Sequence, residues 1–163
     1  MIRRPPRSTH CISSAASDVY KRQGEMYWAS KGEGAFLNEK QITVHKQTPL
    51  YKIVGVNTSG ASPEIMKKLQ PVFENHSHTR HFGANALEMA MFAQGLMDIF
   101  IDLRDKIRIQ DIAAGYIIVK EAGALLLDAE FKSLDADLSY DTRVSFVAAA
   151  NQEILDDIFS NKN

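Results

Sequence analysis

From Ile109 to Ala122, apolar and small residues fall on nearly every face of a helical wheel, and Gly123 ends the run. A helix with one apolar stripe can lie on a surface, but one that is apolar almost all round needs cover on opposite sides. The segment therefore predicts a central helix sandwiched between layers. That requirement excludes a simple two-layer fold and asks the rest of the chain for flanking sheets.

The flanking sequence supplies them. Glu25 to Ala29 and Gly34 to Leu37 are short β-prone runs around Lys31-Gly32-Glu33, a predicted hairpin. Asn38-Glu39-Lys40 turns the chain into an alternating strand over Gln41 to His45, and Lys52 to Thr58 reads as a buried strand. Ser62 as N-cap and Pro63 at the first helical position start a helix with Ile65, Leu69 and Val72 or Phe73 on one face. Beyond it we expect a strand near His78 to Phe82 and a helix over Asn85 to Gln94 with Gly95 as C-cap. Asp98 to Asp102 reads as a strand followed by a charged turn, Arg104-Asp105-Lys106. Leu125 to Asp128 and Val144 to Ala150 are further strands, and Asn151 caps a last helix through Ile158. The alternation predicts an α/β layered architecture with a mixed sheet.

Composition matters mainly because it is uneven. Residues 1–23 carry five basic side chains against one acid, Asp18, and the only cysteine, Cys11. With a net charge of -1 for the whole chain, residues 24–163 are acidic. That charge offers no pull toward nucleic acid or an anionic membrane, and no run approaches the about 20 apolar residues of a membrane span. The basic leader lacks the apolar core of a secretory signal, and Pro5-Pro6 interrupts any amphipathic targeting helix. MIRRPPRST and SSAASDVYKRQ can instead be back-translated into strings resembling the oligonucleotide adapters of short-read sequencing libraries. We therefore expect residues 1–23 to be a foreign, adapter-derived disordered tail and residues 24–163 to be the C-terminal part of a domain cut at Gly24.

Four groups of residues are candidates for chemistry. Asp111 stands in the first turn of the central helix, where an acid is favoured by the macrodipole, or where a rigidly held carboxylate can bind a hard cation. Spacing alone favours the first reading. Asp98 and Asp102 end an apolar strand, with Arg104, Asp105 and Arg108 close by, and strand C-termini in α/β sheets are common site positions. Gly83-Ala84-Asn85-Ala86 is a small-residue opening to a helix that lets a ligand approach backbone N–H groups. His76, His78 and His81 form an H-x-H-x-x-H cluster, but no cysteine or nearby helix carboxylate completes a zinc site.

GEMYWASKGEGAFLNEKQITVH resembles a characteristic segment of the inositol monophosphatase family. RHFGANALEMAMFAQGLMDIFID followed by IQDIAAGYIIVKEAGALLLD resembles that family's C-terminal region, with its "WD.AAG" signature. The resemblance implies a layered α/β/α/β/α sugar-phosphatase fold, of which only the C-terminal portion is present. It also implies Mg²⁺-dependent, Li⁺-sensitive hydrolysis of small phosphomonoesters by a cytoplasmic homodimer, with no nucleic-acid or membrane partner. Asp111 then matches a metal-binding aspartate, reversing the reading from spacing. Gly83, Ala84 and Asn85 match the backbone beside the substrate's ring or sugar, and Asp102 an acid that contacts a substrate hydroxyl. Gln110 stands where the family has Trp. Two extra residues in Leu103 to Arg108 resemble archaeal-type enzymes that also accept fructose 1,6-bisphosphate, so that Arg104 or Arg108 would meet a second phosphate.

The family's D-P-[IL]-D-G-[ST] motif and an upstream Glu-containing motif, which carry its other metal ligands, do not occur in residues 24–163. One aspartate does not hold the cations that a metal-assisted attack by water requires. The chain as written is thus expected to be inactive and its intact parent to be a phosphatase. Fructose-1,6-bisphosphatase and 3'-phosphoadenosine nucleotidase are alternatives in substrate, and a degenerate, non-catalytic binding or regulatory module is the alternative in kind.

Overall fold

The structure is a computed structural model; it describes residues 18–20 through their backbone, and residues 24–45, 52–75, 78–135, 139 and 141–159. An antiparallel meander comes first: β1 (Asp18–Tyr20), β2 (Glu25–Ser30), β3 (Gly34–Leu37) and β4 (Lys40–Ile42). Tyr27 and Ala29 of β2 and Ala35 of β3 are buried, as the period-2 pattern requires of a sheet with one covered face. Trp28 and Phe36 stack across the pair at 4.4 Å between ring centroids.

Within the segment expected to be a tail without structure, the backbone of Asp18–Tyr20 pairs with β2 from Asp18 opposite Tyr27 to Tyr20 opposite Glu25. The outer edge of β2 offers a row of backbone donors and acceptors, and adding a strand there needs little from the added side chains.

The remaining chain builds a mixed sheet from β5 (Val54–Val56), β6 (Thr79–Arg80), β7 (Ile99–Arg108), β8 (Leu125–Leu127) and β9 (Arg143–Ala149). Its order is β6-β5-β7-β9-β8, with β6, β5 and β7 parallel and β9 antiparallel to both neighbours. Among the described residues four helices accompany it: α1 (Pro63–Asn75), α2 (Asn85–Ala93), α3 (Ile109–Glu121) and α4 (Gln152–Phe159). Ser62 caps α1 by accepting the Ile65 N–H at 3.4 Å, and Asn151 caps α4 by accepting the Ile154 N–H at 2.8 Å. On α1 it is Val72, not Phe73, that joins Leu69 in the core.

Helix α3 has the sandwiched position that its all-round apolarity predicts. It packs on α2, on β2 and β3 of the meander, and on β7, β8 and β9 of the mixed sheet. The layers run meander, α2 with α3, mixed sheet, α1 with α4: four layers of the expected five-layer plan. Gly115 permits the close crossing of α3 and α2, because a Cβ there would stand 2.7 Å from Met89 Sδ and 2.8 Å from Met89 Cβ. The Glu121 carboxylate at the end of α3 accepts the N–H groups of Gly32 (2.9 Å) and Gly34 (3.0 Å), tying the β2–β3 hairpin to the helix layer.

Two expectations need correction. The charged segment Arg104-Asp105-Lys106 is not a turn that ends a strand but part of a ten-residue β7. Pairing of Asp102 with Phe146 and of Ile107 with Val144 leaves Leu103 to Lys106 opposite Ser145 alone, a wide bulge. Asp105 takes a positive φ of 53° within it and donates its N–H to Ser145 Oγ at 2.9 Å. The hydroxyl and the left-handed residue absorb the extra chain, so the strand resumes after it. Asp98, assigned to the strand by its sequence, precedes β7 and is buried, its Oδ2 accepting the Ile53 N–H at 2.8 Å.

Candidate functional site

Strand β5 lies between its two parallel neighbours, and the chain goes first to β6 on one side and later to β7 on the other. Such a reversal opens a crevice at the strands' C-terminal ends, where α/β sheets place ligands. Three chain segments meet there: Asn57 to Gly60 after β5, Phe82 to Asn85 between β6 and α2, and Asp102 to Lys106 in the bulge of β7. The expected residues Gly83, Ala84, Asn85, Asp102 and Arg104 all belong to these segments.

Asn57 joins two of the segments. It is buried, its Nδ2 donates to Asn85 Oδ1 at 3.2 Å, and its Oδ1 accepts the Ser59 N–H at 3.3 Å. Sequence reasoning missed Asn57, although an Asn closing a strand before a Thr-Ser-Gly loop is a recognisable local cap.

Arg104 and Lys106 join the bulge to the same loop. Arg104 gives Nε to Asp102 Oδ1 (2.9 Å), one terminal nitrogen to Asp102 Oδ2 (2.6 Å) and the other to the Ser59 carbonyl (2.9 Å). Lys106 Nζ donates to the Gly60 carbonyl at 2.6 Å. The hydrogen bonds it donates to Asp102 hold the Arg104 guanidinium above its already high range, against a smaller opposing effect of burial; the negative charges of Asp102 and then Glu88 add to the rise.

This arrangement alters what two residues can do. Asp102 is wholly buried and both its oxygens hold Arg104, so a direct contact between Asp102 and a substrate hydroxyl has no room here. All three guanidinium nitrogens of Arg104 have protein partners, so the fork expected for a second phosphate is already in use. Arg108 is likewise engaged, with Nε 3.1 Å from Asp111 Oδ2 and a terminal nitrogen 3.2 Å from Asp111 Oδ1.

Phe82 to Asn85 are shaped by a residue that sequence reasoning also passed over. Glu88 is wholly buried in α2, and its two carboxylate oxygens accept the N–H groups of Phe82 and Ala84, each at 3.1 Å. Between them Gly83 takes φ +77°, a conformation that suits glycine and strains other residues. The signal was an acid four residues after the helix-opening Ala84, a short step beyond the capping-box spacing.

Asp111 lies in the first turn of α3, as its spacing predicts, and its side chain is half exposed. It offers one carboxylate to a cation, and among the described residues no three His, Cys, Asp or Glu side chains come together as a metal-binding group. Of the histidine cluster, His76 lies outside the described residues, while His78 and His81 lie within them. Among the described residues no helix is long and apolar enough to cross a membrane.

A model of the inositol monophosphatase family matches residues 9–161. A fructose-1,6-bisphosphatase/inositol-1-monophosphatase of Methanothermobacter thermautotrophicus is 39% identical over 132 residues, which are 80% of this chain and 46% of that protein. A fructose-1,6-bisphosphatase of Pyrococcus furiosus is 37% identical over 143 residues, 87% of this chain and 54% of its own length. The solved structure of an inositol monophosphatase–fructose 1,6-bisphosphatase superposes with a TM-score of 0.75 at 36% identity, covering 85% of this chain and 53% of that one. The chain spans about half the length of the relatives it matches.

Proposed function

The chain belongs to the inositol monophosphatase family, and from that premise we propose that the protein carrying it hydrolyses small phosphomonoesters, of inositol or of a sugar, with Mg²⁺. The observation that supports this most is the family match across residues 9–161, which includes the crevice at the ends of β5, β6 and β7. Fructose 1,6-bisphosphate stands beside inositol phosphate as a candidate substrate because both names are carried by relatives 37–39% identical to this chain.

The described residues do not assemble a cation site by themselves. Asp111 would give one ligand, and further carboxylates would have to come from outside the described residues. Bound Mg²⁺ would activate water and offset charge on the phosphoryl oxygens. The work of this chain's own residues is to bind and orient. Gly83, Ala84 and Asn85 form a wall against the ring or sugar, held by Glu88 and Asn57. Asp102 anchors Arg104, whose guanidinium in turn holds the Ser59 carbonyl of the neighbouring loop. A homodimeric, cytoplasmic, Li⁺-sensitive enzyme belongs to the same proposal.

The test is phosphate release from inositol 1-phosphate and fructose 1,6-bisphosphate by the full-length protein, with Mg²⁺ and after chelation. Release that depends on Mg²⁺ supports the reading; no release from either ester refutes it and favours the non-catalytic alternative.

A further inference from the structure

We infer that Glu88 is a positioning residue for substrate binding, setting the path of Phe82 to Asn85 through two backbone hydrogen bonds without touching substrate itself. The inference rests on the reading of Gly83, Ala84 and Asn85 as the substrate wall.

Several observations carry it. A carboxylate taken wholly out of water needs compensation, and Glu88 finds it in the Phe82 and Ala84 N–H groups at 3.1 Å each. Those two donors straddle Gly83, so one side chain dictates the direction of the loop on either side of its left-handed residue. The Glu88 N–H also donates to the Ala84 carbonyl at 2.9 Å, the first turn of α2, so the loop and the helix start are set together. Ala84 has no capping side chain of its own, and the acid four residues later accepts the N–H of Ala84 itself, at the end of α2 where negative charge is favoured. Asn85, the next residue, is then delivered to Asn57. Shortening or neutralising residue 88 would free the wall while leaving every substrate-facing side chain in place.

The test uses the full-length protein with Glu88→Gln, Glu88→Ala and Met89→Ala. Met89 is the neighbouring buried residue of α2 and packs on Gly115, so it serves as a control for lost stability. Gln keeps one acceptor and sets an N–H group against the second backbone donor. We expect Glu88→Gln to raise KM on the order of tenfold with kcat nearly unchanged, and Glu88→Ala to raise it further. Amide exchange at Phe82 and Ala84 should quicken in both, while Met89→Ala lowers thermal stability and keeps KM. An unchanged KM in an active Glu88→Gln enzyme overturns the role of Glu88 alone. So does a KM rise in Met89→Ala equal to that of Glu88→Gln. Absence of phosphate release from the unaltered protein instead refutes the proposed function, and this inference with it.

Discussion

Asp102 and Arg104, two residues apart on β7, hold each other at two points, Nε to Oδ1 at 2.9 Å and a terminal nitrogen to Oδ2 at 2.6 Å, with the carboxylate wholly buried. In a regular strand, residues two apart point to the same face but are spaced for neighbours, not for a fork. The bulge opposite Ser145 turns the chain so that the guanidinium folds back onto the carboxylate and still reaches the Ser59 carbonyl.

Removing one partner of such a pair costs more than removing both. Arg104→Met should destabilise the protein by about 3–5 kcal/mol, because it strands a buried carboxylate. The double variant Asp102→Leu/Arg104→Met should recover much of that loss. Urea unfolding of the three proteins measures the difference; a single variant as stable as the parent would show that Asp102 is not sealed from water.

Gly115 is a packing requirement. Gly115→Ala gains helix propensity but drives its Cβ into Met89, and a net loss of about 1–3 kcal/mol is expected from overpacking. Combining it with Met89→Ala should restore part of the loss. Melting temperatures of the single and double variants decide this, and an unchanged melting temperature for Gly115→Ala would contradict the close crossing of α2 and α3.

The start of α1 carries a pH signature. The Ser62 hydroxyl and then the residue's own backbone N–H hold Glu64 below the usual carboxylate range, outweighing a small effect of burial. A depressed folded value means that its stabilising contribution is present above the unfolded carboxylate's range and is lost as pH falls through the folded value. NMR titration should place the Glu64 midpoint below that of an exposed glutamate, and Ser62→Ala should move it back up. Equal midpoints in both proteins would remove Ser62 as the cause.

Asp111 tests the metal reading. In the full-length protein, Asp111→Asn should raise the Mg²⁺ concentration for half-maximal phosphate release on the order of 10²-fold. Arg108→Ala frees the same carboxylate from an exposed ion pair worth under about 1 kcal/mol, so it should leave stability nearly unchanged. If Asp111→Asn responds to Mg²⁺ like the parent, the aspartate is a helix-start acid and no more.

Much of this architecture was legible before any coordinates. The run Ile109 to Ala122 announced a covered central helix, and Ser62 and Asn151 announced two helix starts, because those signals are carried by residues within a turn of one another. The bulge in β7 was not legible. Arg104-Asp105-Lys106 has the composition of an exposed turn, and only the pairing of both flanks with β9 makes it part of a strand. Glu88 and Asn57 were overlooked for a related reason: each looks ordinary in its own element, and its role appears only when another segment is brought to it.

The sequence by itself determined the order and kind of most elements, the need for layers on both sides of α3, and the resemblance that led to the family, since periodicity, caps and motifs are local properties of the chain. Only the tertiary structure decided which polar groups satisfy one another at the sheet's C-terminal crevice. Arg104 turned from a free phosphate fork into the partner of a buried Asp102, and Glu88 became the residue that shapes the Gly83 loop. The physical reason is desolvation: once folding removes water, each buried charge and backbone donor must find a partner, and packing alone sets which groups lie within 3 Å or so.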